Sequence, residues 1–312
     1  FASRFVPDKG EDHGTTFADG AVLDTLSYMV PPGGTTTQRG RGRAVFAGGN
    51  RTPDNDSNII DYVQIQSSGS SIDFGDLTQE REALGGSGNE TRGWFASGYD
   101  GDSPNANYDI IDYITISTTA NALDFGNLSA VRRYVSCLSN STRGVIGGGY
   151  NTDFIDTIEY ITIASIGNVT DFGNLTVALT DKAGLSSPTR GVFAGGLGAA
   201  SNPAATDVID YITIATTGNA TDFGNLTVAR RASASANSST RGVFGGGHTP
   251  TVVNTIDYIT IASTGNAADF GDLTAARGYM GKGQACSVVR GLLQGGIETP
   301  VIVNTIEYID IA

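Results

Sequence analysis

The chain is short of the residues that most surface chemistry needs. It holds 2 histidines, 2 cysteines, 2 methionines and 1 tryptophan in 312 residues. His13 and His248 stand far apart, and no cluster of His, Cys and Asp has the spacing of a zinc site. Catalysis needs a nucleophile with its base, paired carboxylates at a cleft, or metal ligands, so no catalytic residue, metal or cofactor is expected. Cys137 and Cys286 fall at equivalent points of two distant segments, which argues against a disulfide and leaves the compartment open. Basic residues are scarce as well: 19 Lys and Arg face 32 Asp and Glu, a formal net charge of −13. Such a surface repels phosphate backbones, so nucleic acid is not an expected partner. No apolar run approaches the roughly eighteen residues of a membrane span, so membrane insertion is not expected either. The first residues, Phe1-Ala2-Ser3-Arg4, form no basic-then-apolar leader and read as a processed start or part of a longer chain.

Glycine is plentiful, at 43 residues, and Ser, Thr and Asn recur throughout. That profile suits short strands joined by tight turns. Helical periodicity is absent: no stretch spaces apolar residues by three to four over three turns. Self-similarity is plain instead. An apolar strand that starts with Arg and runs into glycines begins at Arg43, Arg92, Arg143, Arg190, Arg241 and Arg290, with spacings of 49, 51, 47, 51 and 49 residues. A Tyr-bearing strand follows each copy, centred on Tyr62, Tyr113, Tyr160, Tyr211, Tyr258 and Tyr308. Asp-Phe-Gly then begins at Asp73, Asp124, Asp171, Asp222 and Asp269, and a Ser/Ala-rich stretch such as 232–236 leads into the next copy. Four strands in each segment of about forty to fifty residues is the arithmetic of a propeller blade. In Ile256-Asp257-Tyr258-Ile259-Thr260-Ile261 both faces are largely apolar, as stacking between blades requires. The terminal glycines serve either close backbone approach or a bulge.

The order of Arg, small-residue strand, apolar strand ending Gly-Gly and Tyr-bearing strand resembles the kelch repeat. In that family an Arg after the fourth strand leads into the next blade, which Arg81, Arg132, Arg230 and Arg277 match; Leu179-Thr180 departs from it. The kelch Trp is missing, and the Phe of Asp-Phe-Gly stands in its place. The near-identical tandem copies also resemble repeats of structural proteins in tailed, especially marine, bacteriophages, and the turn at 34–39 resembles junctions before modules of phage tail proteins. Signatures of enzymatic relatives, a copper site with a Tyr–Cys pair or the sialidase Ser-x-Asp-x-Gly-x-Thr-Trp repeat, are absent. Asp-Phe-Gly has no glycine-rich phosphate loop beside it and reads as blade architecture rather than kinase chemistry.

These readings give an all-β fold: a six-bladed β-propeller, four antiparallel strands per blade, spanning 40–312. Residues 1–39 form an N-terminal segment whose residues 15–24, similar to 267–273, are expected to supply the outer strand that completes the last blade and closes the ring. The Arg ring and the carboxylates before each Tyr recur in every blade, so a packing role, with Arg paired to a neighbouring carboxylate, stands against a cationic ring facing an acidic ligand. Loops after Gly-Gly differ while strands repeat, and such loops on a rigid scaffold carry specificity. Tyr99, Asp100, Asp102, Asn105, Tyr150, Asn151 and Asp153 are the candidate ligand-binding residues, able to hydrogen-bond and stack on sugars; simple loop tolerance is the other reading. The resemblance implies a non-catalytic module of a virion surface or tail fibre, extracellular, engaging a host glycan or other virion proteins. The alternative is a kelch-type protein-interaction domain, cellular or secreted, and an enzyme ranks third.

Overall fold

The computed structural model describes residues 42–50, 56–66, 69–101, 106–199, 205–281, 283, 285–287 and 289–311. They form an all-β propeller, with no α-helix among the described residues. The first repeat gives β1 (Arg43–Ala47), β2 (Ile59–Gln64) and β3 (Ile72–Asp76). The second gives β4 (Gly85–Gly88), β5 (Arg92–Asp100), β6 (Ala106–Thr115) and β7 (Leu123–Asn127). β8 (Ser136–Ser139), β9 (Arg143–Gly147), β10 (Thr157–Thr162) and β11 (Thr170–Asn174) make the third. The fourth comprises β12 (Ala183–Ser186), β13 (Arg190–Ala194), β14 (Val208–Thr213) and β15 (Thr221–Asn225). In the fifth, β16 (Ala234–Asn237) and β17 (Arg241–Gly245) lead through a small hairpin, β18 (His248–Thr249) and β19 (Thr251–Val252), to β20 (Thr255–Thr260) and β21 (Ala268–Asp272). The sixth has β22 (Arg290–Gln294), a hairpin of β23 (Ile297–Glu298) and β24 (Val301–Ile302), and β25 (Ile306–Asp310).

Each strand position has a sequence reason. The inner strands β4, β8, β12 and β16 carry Gly, Ser, Ala and other compact residues because they pack side by side around the axis. Their hydroxyls and amides tie them together: Ser139 Oγ donates to the Gly88 carbonyl, Ser186 Oγ to that of Ser139, and Asn237 Nδ2 to that of Ser186, at 2.5–2.8 Å. The glycine after the repeated Arg makes room for the neighbouring sheet. A Cβ on Gly144 would sit 2.6 Å from the Trp94 ring, and one on Gly242 would meet Leu185. At Asp-Phe-Gly the pairing slips by one residue, for example between Ile111 and Asp112 against β7. The bulge turns Phe125 edge-on to Tyr113, with ring centroids 5.9 Å apart, and the same pair recurs in the other Asp-Phe-Gly repeats. Of the two uses expected of the glycines that close the Arg-led strand, close backbone approach is the recurring one, a Cβ on Gly48 falling 2.6 Å from the Arg81 carbonyl oxygen; the recurring bulge lies at Asp-Phe-Gly instead.

Each of the six core clusters straddles two neighbouring sheets and joins them. Trp94, Ile111 and Phe125 pack with Ile146, Ile161 and Ile163 of the next sheet, and Ile209 and Phe223 with Phe244 and Ile259. This is why the strands are apolar on both faces. Complete burial of a side chain such as Ile158, which is 0% exposed, contributes about 1.5–3 kcal/mol.

The expectation of six four-stranded blades is overturned. Among the described residues there are five blades: four of four strands and the first of three. The last repeat supplies only the pair β22–β25, with one bridge, Cys286 to Gly291, on its inner side. A blade needs an outer Asp-Phe-Gly strand over its Tyr strand, and the sequence contains five such strands for six Tyr strands. The expected closure by an N-terminal strand at 15–24 lies, like all of 1–41, outside the described residues; among the described residues no strand but β22 pairs with β25. The pair β22–β25 seats against the first sheet through side chains. Arg290 donates to the Ile65 carbonyl at 3.3 Å, Gln66 to Ser287 Oγ at 2.9 Å, and Ala285 and Leu292 pack on Ala44, Val63 and Ile65. Cys137 and Cys286 are buried in separate sheets and do not form a disulfide.

Candidate binding face

Most of the charges repeated from blade to blade are committed to holding the ring. Each Arg that opens a glycine strand stacks on its own sheet's Tyr and reaches the next sheet's backbone. Arg92 lies 4.3 Å from the Tyr113 ring centroid and donates to the Ile163 carbonyl at 2.7 Å; Arg143 and Arg190 repeat this on Tyr160 and Ile214, and on Tyr211 and Ile261. The expected partner, a neighbouring carboxylate, is replaced by a carbonyl and an aromatic face. From the second repeat on, the carboxylates pair with another basic residue, while Asp61 of the first accepts from Ser71 Oγ. Arg81 meets Asp112 at 3.0 Å and Arg230 meets Asp257 at 3.0 Å, while Arg132 pairs with Glu159 and Arg277 with Glu307. Burial pulls the guanidinium pKa of Arg81, Arg132 and Arg230 down, and the facing carboxylate opposes that pull. The fourth blade solves the same problem differently. Leu179 stands where Arg is expected, and Lys182 reaches Asp210 at 3.5 Å, its ammonium pKa lowered by burial and held up in part by that carboxylate.

What varies is gathered at one end of the ring, where the Gly-Gly hairpins turn. The residue entering each inner strand adopts a left-handed conformation without being glycine: Ala83 (φ 57°), Tyr134 (59°), Asp181 (59°), Ala232 (57°) and Tyr279 (56°). Each such residue costs about 1–2 kcal/mol of backbone strain. A chain of hydrogen bonds around the axis offsets it: Tyr134 N–H donates to the Ala83 carbonyl, Asp181 to Tyr134, Ala232 to Asp181 and Met280 to Ala232, at 2.8–3.3 Å. The residues just before them bridge to the variable loops, Glu82 to Tyr99, Arg133 to Tyr150, Thr180 to Leu197, Arg231 to His248 and Gly278 to Ile297. The loops are thereby drawn in around the axial mouth. A cavity lined by Glu82, Tyr134, Asp181 and Tyr279 continues from this mouth along the inner edge of β1.

Two aromatic–cation clusters result. Arg133 lies 4.1 Å from the Tyr99 ring centroid, 5.4 Å from Tyr134 and 5.6 Å from Tyr150. Arg231 meets Asp181 at 3.4 Å, donates to Tyr279 Oη at 2.6 Å, and has His248 nearby, packed 5.5 Å from the Tyr279 ring. Burial, then the carboxylates of Asp181 and Glu82, raise the Tyr134 phenol pKa, so that hydroxyl stays a donor. Burial and the adjacent Asp56 raise the Glu82 carboxyl, with Arg133 opposing. Burial, then Arg231, lowers the His248 pKa. The face therefore presents stacking rings, two fixed cations and hydroxyl donors, a set that recognises planar or polyhydroxylated ligands. Among the described residues no group of three or more His, Cys, Asp and Glu could hold a metal ion.

Of the residues singled out from sequence, Tyr99 and Tyr150 meet at this face through Arg133. Asp100 accepts from Tyr108 Oη at 3.1 Å, Asn151 accepts from Asn107 Nδ2 at 3.1 Å, and Asp153 caps the Phe154 amide at 2.8 Å; these three shape the loops. Asp102 and Asn105 lie outside the described residues. Arg133, Tyr134, Asp181, Arg231 and Tyr279 were not anticipated. A signal existed: the stretch entering each inner strand, with Ala83, Tyr134, Asp181, Ala232 and Tyr279 at the same position, varies while the strands on either side repeat.

A solved structure described as that of YjhT superposes with a TM-score of 0.66 at 9% identity, covering 84% of this chain and 93% of that one. At that identity the likeness shows the propeller fold alone. No protein-family model matches the chain, and no curated protein sequence matches it.

Proposed function

We propose that the chain is a non-catalytic binding module whose ligand sits on the axial mouth, and that the ligand is a surface glycan. One observation carries this reading. The Arg that opens each glycine strand is engaged with the next sheet, and the carboxylates of the second to sixth repeats are paired, whereas Tyr99, Tyr134, Tyr150, Tyr279, Arg133 and Arg231 converge on one face from positions that differ between repeats. Tyr rings over sugar faces, with Arg and Tyr hydroxyls bonding to ring oxygens, are the chemistry such a set performs. The setting that fits the tandem, phage-like repeats is a virion surface or tail fibre, where a kelch-like propeller would attach to a host or pack against other virion proteins.

A glycan array tests the ligand class. Selective binding to a small set of glycans is expected, with a loss of tenfold or more in Tyr150→Ala and Arg133→Gln while the melting temperature holds. Uniform absence of binding, or binding indifferent to both changes, would contradict it. A protein ligand is the second reading, because exposed Tyr and Arg are also the residues that dominate protein interfaces.

A further inference from the structure

Two aromatic–cation clusters, rather than one, face the axial mouth, and the repeat explains where they fall. At the bridge between the residue before an inner strand and the variable loop, the five pairs are Glu82–Tyr99, Arg133–Tyr150, Thr180–Leu197, Arg231–His248 and Gly278–Ile297. Only the third and fifth repeats pair a cation with a ring there. Each of these Arg residues takes a further ring from a left-handed position. Arg133 takes Tyr134 of its own repeat, 5.4 Å from the centroid, and Arg231 takes Tyr279 of the next, 5.2 Å from the centroid. The inner strands pack in chain order, β8 on β12 and β12 on β16, so the fourth repeat stands between the clusters. At its bridge it offers Thr180 and Leu197, and no ring.

Both clusters share one floor. Tyr134, Asp181 and Tyr279 line it, and the Tyr134 phenol feels Asp181, Glu82, Arg133 and Tyr279 together. Main chain fixes the spacing: the Asp181 amide donates to the Tyr134 carbonyl at 3.1 Å, while the Asp181 carboxylate holds Arg231 at 3.4 Å. We infer that the clusters are two subsites of one site, which takes a linear oligosaccharide lying across the axis with one sugar ring on each. The inference rests on the reading of the mouth as a glycan-binding face and names the kind of glycan. Tyr150 and His248 come from sheets that are not neighbours, and sheets packed face to face lie about 10 Å apart. A single sugar stacked on one ring does not reach the other. Joining two weak contacts in one chain raises affinity well beyond either, provided the chain spans both.

The probe is a length series, monosaccharide to tetrasaccharide, of the glycan that the array selects, titrated calorimetrically into the 312-residue chain. Affinity is expected to rise at least tenfold at the length that spans both clusters and then to level off. Arg133→Gln or Tyr150→Ala in one cluster, and Arg231→Gln or His248→Ala in the other, should each bring the longer sugars down to the affinity of the monosaccharide. Monosaccharide binding should survive a change in either cluster and vanish only when both are changed. The two loop variants, Tyr150→Ala and His248→Ala, carry the test if an Arg variant fails to fold. Equal affinity for monosaccharide and tetrasaccharide would overturn the two-subsite inference while the glycan reading stands. So would length-dependent binding that Arg231→Gln and His248→Ala both leave intact. Absence of binding to every member of the series overturns both readings.

Discussion

Asp112 shows how much a single repeated residue carries. Its carboxylate is 0% exposed and holds the Arg81 guanidinium at 3.0 Å, Thr78 Oγ1 at 2.6 Å and the Thr78 amide at 3.1 Å. Replacing it by Ala strands the Arg81 cation in the interior, and a buried pair broken on one side loses about 3–5 kcal/mol. Chemical denaturation of Asp112→Ala should show a loss of that order, and a loss under about 1 kcal/mol would contradict the pairing. The fourth blade is the natural comparison. Lys182 reaches Asp210 only at 3.5 Å, from three residues beyond the position where the other blades place Arg. A residue-by-residue match to the repeat flags Leu179-Thr180 as a departure but does not reveal the substitute, because reach from a different backbone position is a three-dimensional fact. The opening Arg set packs as expected, but its partner was misread for a related reason: sequence shows that a cation recurs, not that it bonds the Ile carbonyl of the next sheet.

Between elements, contact is made by glycine on one sheet and bulk on the next. Trp94 of β5 is 0% exposed and its ring lies where a Cβ on Gly144 of β9 would be, at 2.6 Å. Gly144→Ala should therefore overpack a rigid aromatic and lower stability by about 1–3 kcal/mol. Combining it with Trp94→Phe should recover part of that loss; purely additive losses in thermal or chemical unfolding would argue that the two sheets do not meet there. Strand order, the Tyr and Asp-Phe-Gly positions and the two-faced apolar character were legible in the sequence because each repeats with the period of the sheet. The number of complete blades was not. Counting glycine strands gives six, whereas a blade also needs its outer strand, and the Asp-Phe-Gly count of five was the better guide. Tyr99 and Tyr150 were legible as variable-loop residues, yet the left-handed positions Tyr134, Asp181 and Tyr279 were not, since Tyr does not announce a positive φ and a single Asp among Ala and Tyr does not mark the position.

At the scale of the whole molecule, labour is divided between the repeated and the unrepeated. Contacts between sheets run all the way round, from Arg43 to the Ile116 carbonyl at 2.9 Å through to Arg290 on Ile65. They fix the inner strands, and the hydrogen-bonded chain through Tyr134, Asp181 and Ala232 holds the mouth that the loops surround. A rigid mouth with variable side chains recognises ligands without refolding, which keeps the ordering cost of binding low. The most direct test is hydrogen exchange on the chain with and without a glycan selected from the array. Protection is expected at 97–101, 131–135, 150–154 and 278–280, the segments that meet at the axial mouth. Protection confined to the turns at 118–122, 165–168 and 216–219, on the outer rim, would contradict the assignment of that face.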